Sequence, residues 1–459
     1  MNVYDSEQIA MRMAALGYQQ TSSLAMADLV IVNTCTIRAK AEQKAFSFLG
    51  RLARLKKKKP GLISAVGGCV AQQEGEKIFK RVPYLDLVFG TQAIDRLPYL
   101  IQKIEKNRCR IVDIEPRDKP RFPEANDGIA PAVQMSRFVT IMRGCDNFCS
   151  YCVVPYVRGR ETSRHPDVII NEIQELARSG LKEVTLLGQN VNSYGKKEGL
   201  CSFPELLSRV SQIDKLLRIR FTTSHPKDFD EDLINAFRTN QKLCDHLHLP
   251  VQSGSNRVLK RMNRKYTKEQ YLDKVAKLRD TCPAISITSD IIVGFPGESE
   301  ADFDETLDLI RTIEFDGLFA FKYSDRPNAP AAKFEKKVSD QQMKKRLQIL
   351  LDLQETFTEK KNQALVGTCL PILAEGFSKR HSSGNLNQPD QAAQWTGRTS
   401  TNKIVNFYQD GNSESCDDVS PGQLVDVKIE KAYAHSLWGK PVECQAAAEG
   451  LKGERSYAA

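Results

Sequence analysis

Three cysteines, Cys145, Cys149 and Cys152, fall within the stretch RGCDNFCSYC that begins at Arg143. Thiolates bind soft metals and iron–sulfur clusters, and both usually take four protein ligands. Three ligands raise the question of a fourth. The spacing puts thiols at i, i+4 and i+7, which on a helix would form one buried face. The flanking residues argue against a helix. Gly144 precedes the first cysteine, Asp146 and Asn147 follow it, and Pro155 comes soon after the last, which is turn chemistry straight after a strand. Three plainer readings stay open at this point: buried core cysteines, a structural zinc completed by a distant ligand such as His165, and an electron-carrier cluster. Structural zinc more often uses paired Cys-x2-Cys, and electron carriers gather four cysteines. The remaining reading uses the shortfall. A cube held by three thiolates leaves one iron open to a substrate or cofactor, as catalytic zinc sites leave one position open.

Such a loop needs rigid elements to hold it, and the sequence supplies them in alternation. From Phe138 onward, strand patterns (FVTIM, EVTLLG, LRIRFTT, HLHLPV, ISITSDIIVG, GLFAFKYS) alternate with helical ones, giving six β/α units. Eight would close a barrel; six predict a partial, open one, with the chemistry on the loops after the strands. The cysteine loop, GQNVNSYG, TSHPKD, PVQSGS and GFPGE all fall there. Upstream, residues 1–115 alternate helices with the strands ADLVIVNTCT, GLISAVGGCV and LDLVFG, which predicts an α/β domain with a parallel sheet. Cys35 and Cys69 each follow a strand there. Carboxyl strand ends share one edge of a parallel sheet, so these two thiols are expected to meet. Residues 116–136, rich in Pro and charge, read as a linker, and 137–362 as the barrel domain with a long final amphipathic helix. Residues 363–442 read as a small all-β domain interrupted by a disordered loop, SKRHSSGNLNQPDQ, and 443–459 as a tail.

Composition narrows the class. The 459 residues are 41% apolar and 27% charged, ordinary for a globular protein of two or three domains. No apolar run is long enough for a bilayer-spanning helix, and no signal peptide opens the chain, so a cytoplasmic address without membrane association is expected. In that reducing compartment twelve cysteines point to metal or redox chemistry rather than disulfides. A net charge of +9 permits a nucleic-acid partner without requiring one.

The motif CDNFCSYC, with Tyr151 just before the last cysteine, resembles the radical S-adenosylmethionine (SAM) superfamily, whose partial barrel also matches the six units. That resemblance implies a 4Fe–4S cluster on Cys145, Cys149 and Cys152, with SAM chelating the fourth iron and being cleaved to a 5′-deoxyadenosyl radical. It implies that Tyr151 lies against the adenine. It places Gly188, Gln189 and Asn190 where the superfamily holds the SAM amino group, and Ser224, His225, Gly294 and Glu298 near its ribose and methionine parts. Tight turns account for the glycines equally well, and a His before Pro can simply bond a loop.

Over nearly its whole length the chain resembles the methylthiotransferases, which join an N-terminal α/β domain, a radical SAM core and a TRAM-like RNA-binding β domain. Three branches act on isopentenyl-adenosine in tRNA, on threonylcarbamoyl-adenosine in tRNA, and on a ribosomal protein. GQNVNSYG, RFTTSHPKDF and HLPVQSGSNRVLKRMNRKYT look like the first. The ribosomal-protein branch has an Asp-Thr pair where Gln189 and Asn190 stand. The resemblance implies methylthiolation at C2 of N6-dimethylallyl-adenosine next to the anticodon, one SAM giving the methyl and one the radical. Catalysis is then carried by cofactors, without a protein acid or base. The alternatives are the other two branches or an RNA-associated iron–sulfur protein without activity. An electron-donor protein is an implied partner, and a monomer is expected. Arg257, Lys260, Arg261, Arg264, Lys265 and Lys268 form a basic run near the active edge, and Arg398 and Lys403 lie in the β domain. All are candidate RNA contacts, with RLKKKK a second basic patch. A solvated helix face is the rival reading. Family members hold an auxiliary 4Fe–4S cluster on three cysteines, which implies Cys35 and Cys69 as two ligands. The first normally lies in Gly-Cys-Gln-Met-Asn, and this chain begins at the Met-Asn of that element. A truncated start is expected.

Overall fold

The computed structural model describes residues 1–36, 39–115, 134–378, 394–408 and 419–442. The expected linker, the polar loop of the β domain and the tail lie outside these residues, apart from their margins. Near the N-terminus, four parallel strands, Leu29–Thr34, Ile63–Gly68, Leu87–Phe89 and Ile111–Asp113, pair in sequence order. Ile63–Gly68 is buried at every position, as a strand covered on both faces must be. The helices Asn2–Ala15 and Leu97–Asn107 pack on one face through Ile9, Met13, Leu97 and Ile101. Ala39–Lys58 packs on the other through Leu49 and Leu52.

The central domain carries six parallel strands in two sets of three. Ser136–Thr140, Glu183–Leu187 and Arg218–Phe221 form one; His246–His248, Ser286–Val293 and Gly317–Lys322 form the other. A single parallel bridge, Ile219 to Leu243, joins them. One continuous apolar core fills the interior, from Val139 through Phe221 and Leu247 to Phe315. The ring stays open, so the barrel is partial. The long helix Asp340–Gln363 is tied to the barrel through its Arg346, whose Nη1 meets Glu298 Oε2 at 2.7 Å, both side chains buried.

The C-terminal strands Cys369–Phe377, Gln394–Arg398, Ile404–Tyr408, Leu424–Ala432 and Leu437–Pro441 close into a five-stranded barrel. Its turn at 398–402 sits under the amino ends of the central strands. There Arg220 donates to the carbonyls of Thr399 (2.6 Å) and Ser400 (2.9 Å) while pairing with Glu183 at 2.9 Å. Arg218 donates to Pro371 O at 2.9 Å. The Arg220–Glu183 pair is buried, and removing one member leaves an uncompensated charge. Arg220→Met is therefore expected to cost about 3 kcal/mol in urea unfolding and to free the C-terminal barrel for limited proteolysis. A variant as stable and as protease-resistant as the parent would contradict this role.

Candidate cluster and cofactor site

The cysteine loop leaves a short antiparallel extension, Met142–Arg143 with Thr162–Ser163, at the carboxyl end of the first central strand. Gly144 has φ +76°, and a Cβ there would lie 2.0 Å from Arg160 O, so no other residue fits. Its N–H donates to Gln189 Oε1 at 2.5 Å. Phe148, between the first two cysteines, takes φ +46°, a strained setting for an aromatic residue. The loop is held in that shape from a distance. Asn263 Nδ2 donates to Phe148 O at 2.9 Å, Ser150 N to Met262 O at 3.0 Å, and Ala331 N to Ser150 O at 2.8 Å. The segment after the helix Asn256–Arg261, read from sequence as an RNA patch, is thus the bed of the cysteine loop.

Cys149 is buried, and Cys145 and Cys152 are half-buried. Burial, reinforced by the neighbouring thiols, pushes Cys145 up to about 11 and Cys152 up to about 12. Without a metal these two are neutral thiols, and a bound metal would displace their protons. Among the described residues no three His, Cys, Asp or Glu side chains converge on a single-ion site. A mononuclear zinc needs sulfurs about 2.3 Å from one point, whereas a cube takes each thiolate on a different iron. His165, the proposed distant zinc ligand, instead caps the helix Pro166–Arg178 with its side chain more than half exposed.

Around the loop the expected cofactor residues have diverse surroundings. Tyr151 packs against the small apolar cluster that includes Phe295 and Tyr323, and its hydroxyl accepts from Arg264 at 3.3 Å. Gly188 leaves no room for a side chain, since a Cβ would lie 2.4 Å from Met142. Asn190 Nδ2 donates to Asp228 at 2.7 Å and Ser193 at 3.0 Å. Its Oδ1, both amide atoms of Asn192 and the Ser224 hydroxyl are buried without a protein partner. Such atoms cost about 1–3 kcal/mol each when nothing satisfies them, so a cluster of them at two strand ends fits a polar ligand. Beside them opens a cavity of about 270 Å³ lined by Asp146, Asn147, Glu161, Asn190, Lys196 and Lys227. Charges of both signs there suit a zwitterionic group such as an amino acid. Burial pushes the Glu161 carboxyl up to about 7. His225 accepts from Lys227 N at 3.2 Å, and its Nε2 lies 3.9 Å from Cys149 Sγ. Burial and nearby cations, Arg264 foremost, lower its basicity. Gly294 and Glu298 bond each other at 2.5 Å, N–H to carboxylate, and Glu298 also holds Arg346. Its carboxylate is engaged inside the protein.

Cys35 and Cys69 come together as their strand positions require. They follow Thr34 and Gly68, which are paired partners in the sheet. Thr34 Oγ1 donates to Gly67 O at 2.6 Å and accepts from Val70 N at 3.2 Å. Gly68 has φ +91°, and a Cβ would strike Thr34 O at 2.4 Å, so only glycine lets these ends close. Cys69 is buried against Val153, the cap residue of the helix that follows Cys152, and Val157 on that helix. The Met1 amine lies near both thiols and near Asp5 and Arg158. Sequence reading missed Asp5 and Arg158, a buried pair at 2.7 Å.

The basic run needs correction. Arg264 is 3% exposed and lies under the cysteine loop, out of reach of a phosphate. Arg257 is bound to Asp302 and Gly297 O. Lys403 bonds Asn362 at 2.7 Å, and Arg398 pairs with Glu375 at 2.8 Å, both at the seam of the C-terminal barrel. Arg261 leans on Phe334 and donates to Pro296 O at 3.2 Å. Lys260 and Lys265 remain exposed without an ion pair among the described residues. In the RLKKKK patch, Lys56 pairs with Asp86 and Lys59 with Asp28.

A partial parallel barrel with three thiols on its first strand-end loop defines a radical SAM enzyme, and residues 139–310 match the Radical SAM superfamily. Residues 1–90 match the uncharacterised protein family UPF0004, and 386–442 the TRAM domain. A tRNA-2-methylthio-N(6)-dimethylallyladenosine synthase from Desulfosudis oleivorans is 52% identical over 96% of this chain and 94% of its own. The synthase of the same name from Syntrophus aciditrophicus is 53% identical over 96% and 92%. The chain belongs to the tRNA-2-methylthio-N(6)-dimethylallyladenosine synthase family of methylthiotransferases. Solved structures are more distant. The radical SAM methyltransferase TsrM from Kitasatospora setae aligns with 72% of this chain and 67% of its own at a TM-score of 0.49 and 14% identity, too loose to carry residue roles. No helix among the described residues is long and apolar enough to cross a membrane.

Proposed function

We propose that the protein methylthiolates C2 of N6-dimethylallyl-adenosine next to the anticodon of tRNA. The observation that carries this is near-full-length relatedness to synthases of that name, at about half identity. In this reading Cys145, Cys149 and Cys152 hold a 4Fe–4S cluster, and Cys35 and Cys69 contribute to a second. With SAM bound, the cofactors supply the radical that removes the unreactive C2 hydrogen and the methylthio group that replaces it. The chain's own residues bind and orient. Gly144 and Asn263 set the cysteine loop, and Tyr151 lies on the adenine side of SAM. Ser224, Asn190 and Asn192 offer their unsatisfied atoms to its polar parts. Burial of the loop keeps water from the reacting centre. The cytoplasm, a one-electron donor protein and a monomeric state complete the reading.

Nucleoside analysis of tRNA from cells lacking the gene tests it. The methylthio form is expected to vanish while N6-dimethylallyl-adenosine accumulates; unchanged levels, with no second copy of the gene present, would refute it. RNA contact is assigned to Lys260 and Lys265, the exposed members of the basic run whose side chains no carboxylate, carbonyl or ring engages among the described residues. The double variant Lys260→Ala/Lys265→Ala is expected to weaken tRNA binding and to lower the log–log salt slope by about 1 to 2. An unchanged slope would move the RNA contact elsewhere.

A further inference from the structure

Arg264 is among the most buried cations of the molecule, at 3% exposure. Each of its three nitrogens is engaged. Nη1 reaches Cys149 Sγ at 3.4 Å and Tyr151 Oη at 3.3 Å, Nη2 reaches Pro250 O at 2.6 Å, and Nε reaches Tyr266 Oη at 3.0 Å. Carbonyls and hydroxyls satisfy its hydrogen bonds but not its charge. Among the described residues no carboxylate pairs with it. A buried cation without a counter-ion is strongly unfavourable, so an anion belongs beside it. The one acidic group of the proposed metal site in reach is the Cys149 sulfur.

A second donor converges on the same atom. His225 Nδ1 accepts from Lys227 N at 3.2 Å, which leaves the ring proton on Nε2, 3.9 Å from Cys149 Sγ. Cys145 is met instead by the backbone and side chain of Asn147, and Cys152 by the backbone of Val154, all uncharged donors. Arg264 also cannot drift from the loop. It sits between Asn263 (φ +60°) and Lys265 (φ +59°), and Asn263 donates to both Asn147 O and Phe148 O.

We propose that Arg264 is a positioning residue whose fixed charge faces the Cys149 corner of the cluster and raises the cluster's reduction potential. This rests on the reading of Cys145, Cys149 and Cys152 as its ligands. Reduction adds one electron from an external donor to a buried site. A cation at hydrogen-bond distance therefore stabilises the reduced cluster more than the oxidised one, and a low dielectric enlarges the difference.

Redox titration followed by electron paramagnetic resonance, without SAM, tests this on anaerobically reconstituted parent, Arg264→Gln and Arg264→Lys, with iron and sulfide assayed in each. At the potential that half-reduces the parent, the reduced-to-oxidised ratio of Arg264→Gln is expected to fall at least tenfold, about 59 mV for one electron. Arg264→Lys, which keeps the charge, is expected to stay near the parent. An unchanged ratio in a fully loaded Arg264→Gln overturns the proposal, and so does an equal fall in Arg264→Lys. The first of these results joined to weaker SAM binding would assign the charge to the SAM carboxylate instead. If Arg264→Gln takes up no iron while Arg264→Lys does, the charge requirement is supported. Loss in both overturns it in favour of a purely steric role. A parent protein that takes up no cluster overturns the ligand reading, and this inference with it.

Discussion

Cys149→Ala is expected to form no 5′-deoxyadenosine above background when supplied anaerobically with SAM and a strong reductant, a loss of more than about 100-fold. Among the three thiols Cys149 is the most enclosed, at 7% exposure, and the one that Arg264 and His225 both face. Alanine in its place leaves two thiolates, too few to retain a cube in competition with solvent. The loop itself should survive. Its shape is set by Gly144, by Asn263 and by backbone bonds to Met262 and Ala331, none of which involves the thiol. Losing the buried sulfur, which also leaves Arg264 without its nearest anion, costs about 1–3 kcal/mol, so the metal-free variant should still fold, melting somewhat below the metal-free parent. Cys109→Ala is the control. That residue packs against the core of the N-terminal sheet and is expected to leave radical formation intact. Undiminished 5′-deoxyadenosine from Cys149→Ala, or an equal loss from Cys109→Ala, would refute the assignment.

The same loop marks what a linear sequence reveals. The three cysteines are legible because their spacing and the turn residues among them are local. Cys35 and Cys69 are legible although they are far apart, because parallel strands present their carboxyl ends on one edge. The six central strands are legible from their length and regular spacing. The fourth N-terminal strand, Ile111–Asp113, is missed because it is only half-buried and ends on an Asp, whereas the equally short Leu87–Phe89 is fully buried and reads as an apolar run. Arg264 is misread for a related reason. A run of positive charges says nothing about where each points, and the chain turns through two left-handed residues that drive Arg264 inward while Lys265 stays out. Glu298 offers a strand-end carboxylate to the eye, but its partner Arg346 lies 48 residues away on another element. Long-range ion pairs leave no local trace.

Arg158 is the farthest-reaching case of this kind. It ends the helix Val154–Arg158, directly after the cysteine loop, and its Nη2 bonds Asp5 at 2.7 Å and Asn2 Oδ1 at 3.2 Å across 153 residues or more. The apolar side of that helix meets Cys69, and Thr91 Oγ1 donates to Val157 O at 2.8 Å. One short helix therefore fixes the N-terminal thiol pair relative to the cysteine loop. If Cys35 and Cys69 hold the proposed second cluster, sulfur transfer needs that relation, whereas SAM cleavage at the loop does not. Arg158→Leu is accordingly expected to split the two activities. 5′-Deoxyadenosine formation should stay within about threefold, while methylthiolated product falls roughly 100-fold, the order that a misplacement of about an ångström can cost. Stability should fall as well, by about 3 kcal/mol, because Asp5 is left buried without its partner. Asp5→Leu/Arg158→Leu separates the two effects. With no stranded charge it should regain most of the stability, yet remain defective in product, because the domains lose the contact that sets their register. Full recovery of product in the double variant would reduce Arg158 to a stability role. Parallel loss of 5′-deoxyadenosine and product in Arg158→Leu would mean that the pair holds the cysteine loop itself, not its distance from Cys35 and Cys69.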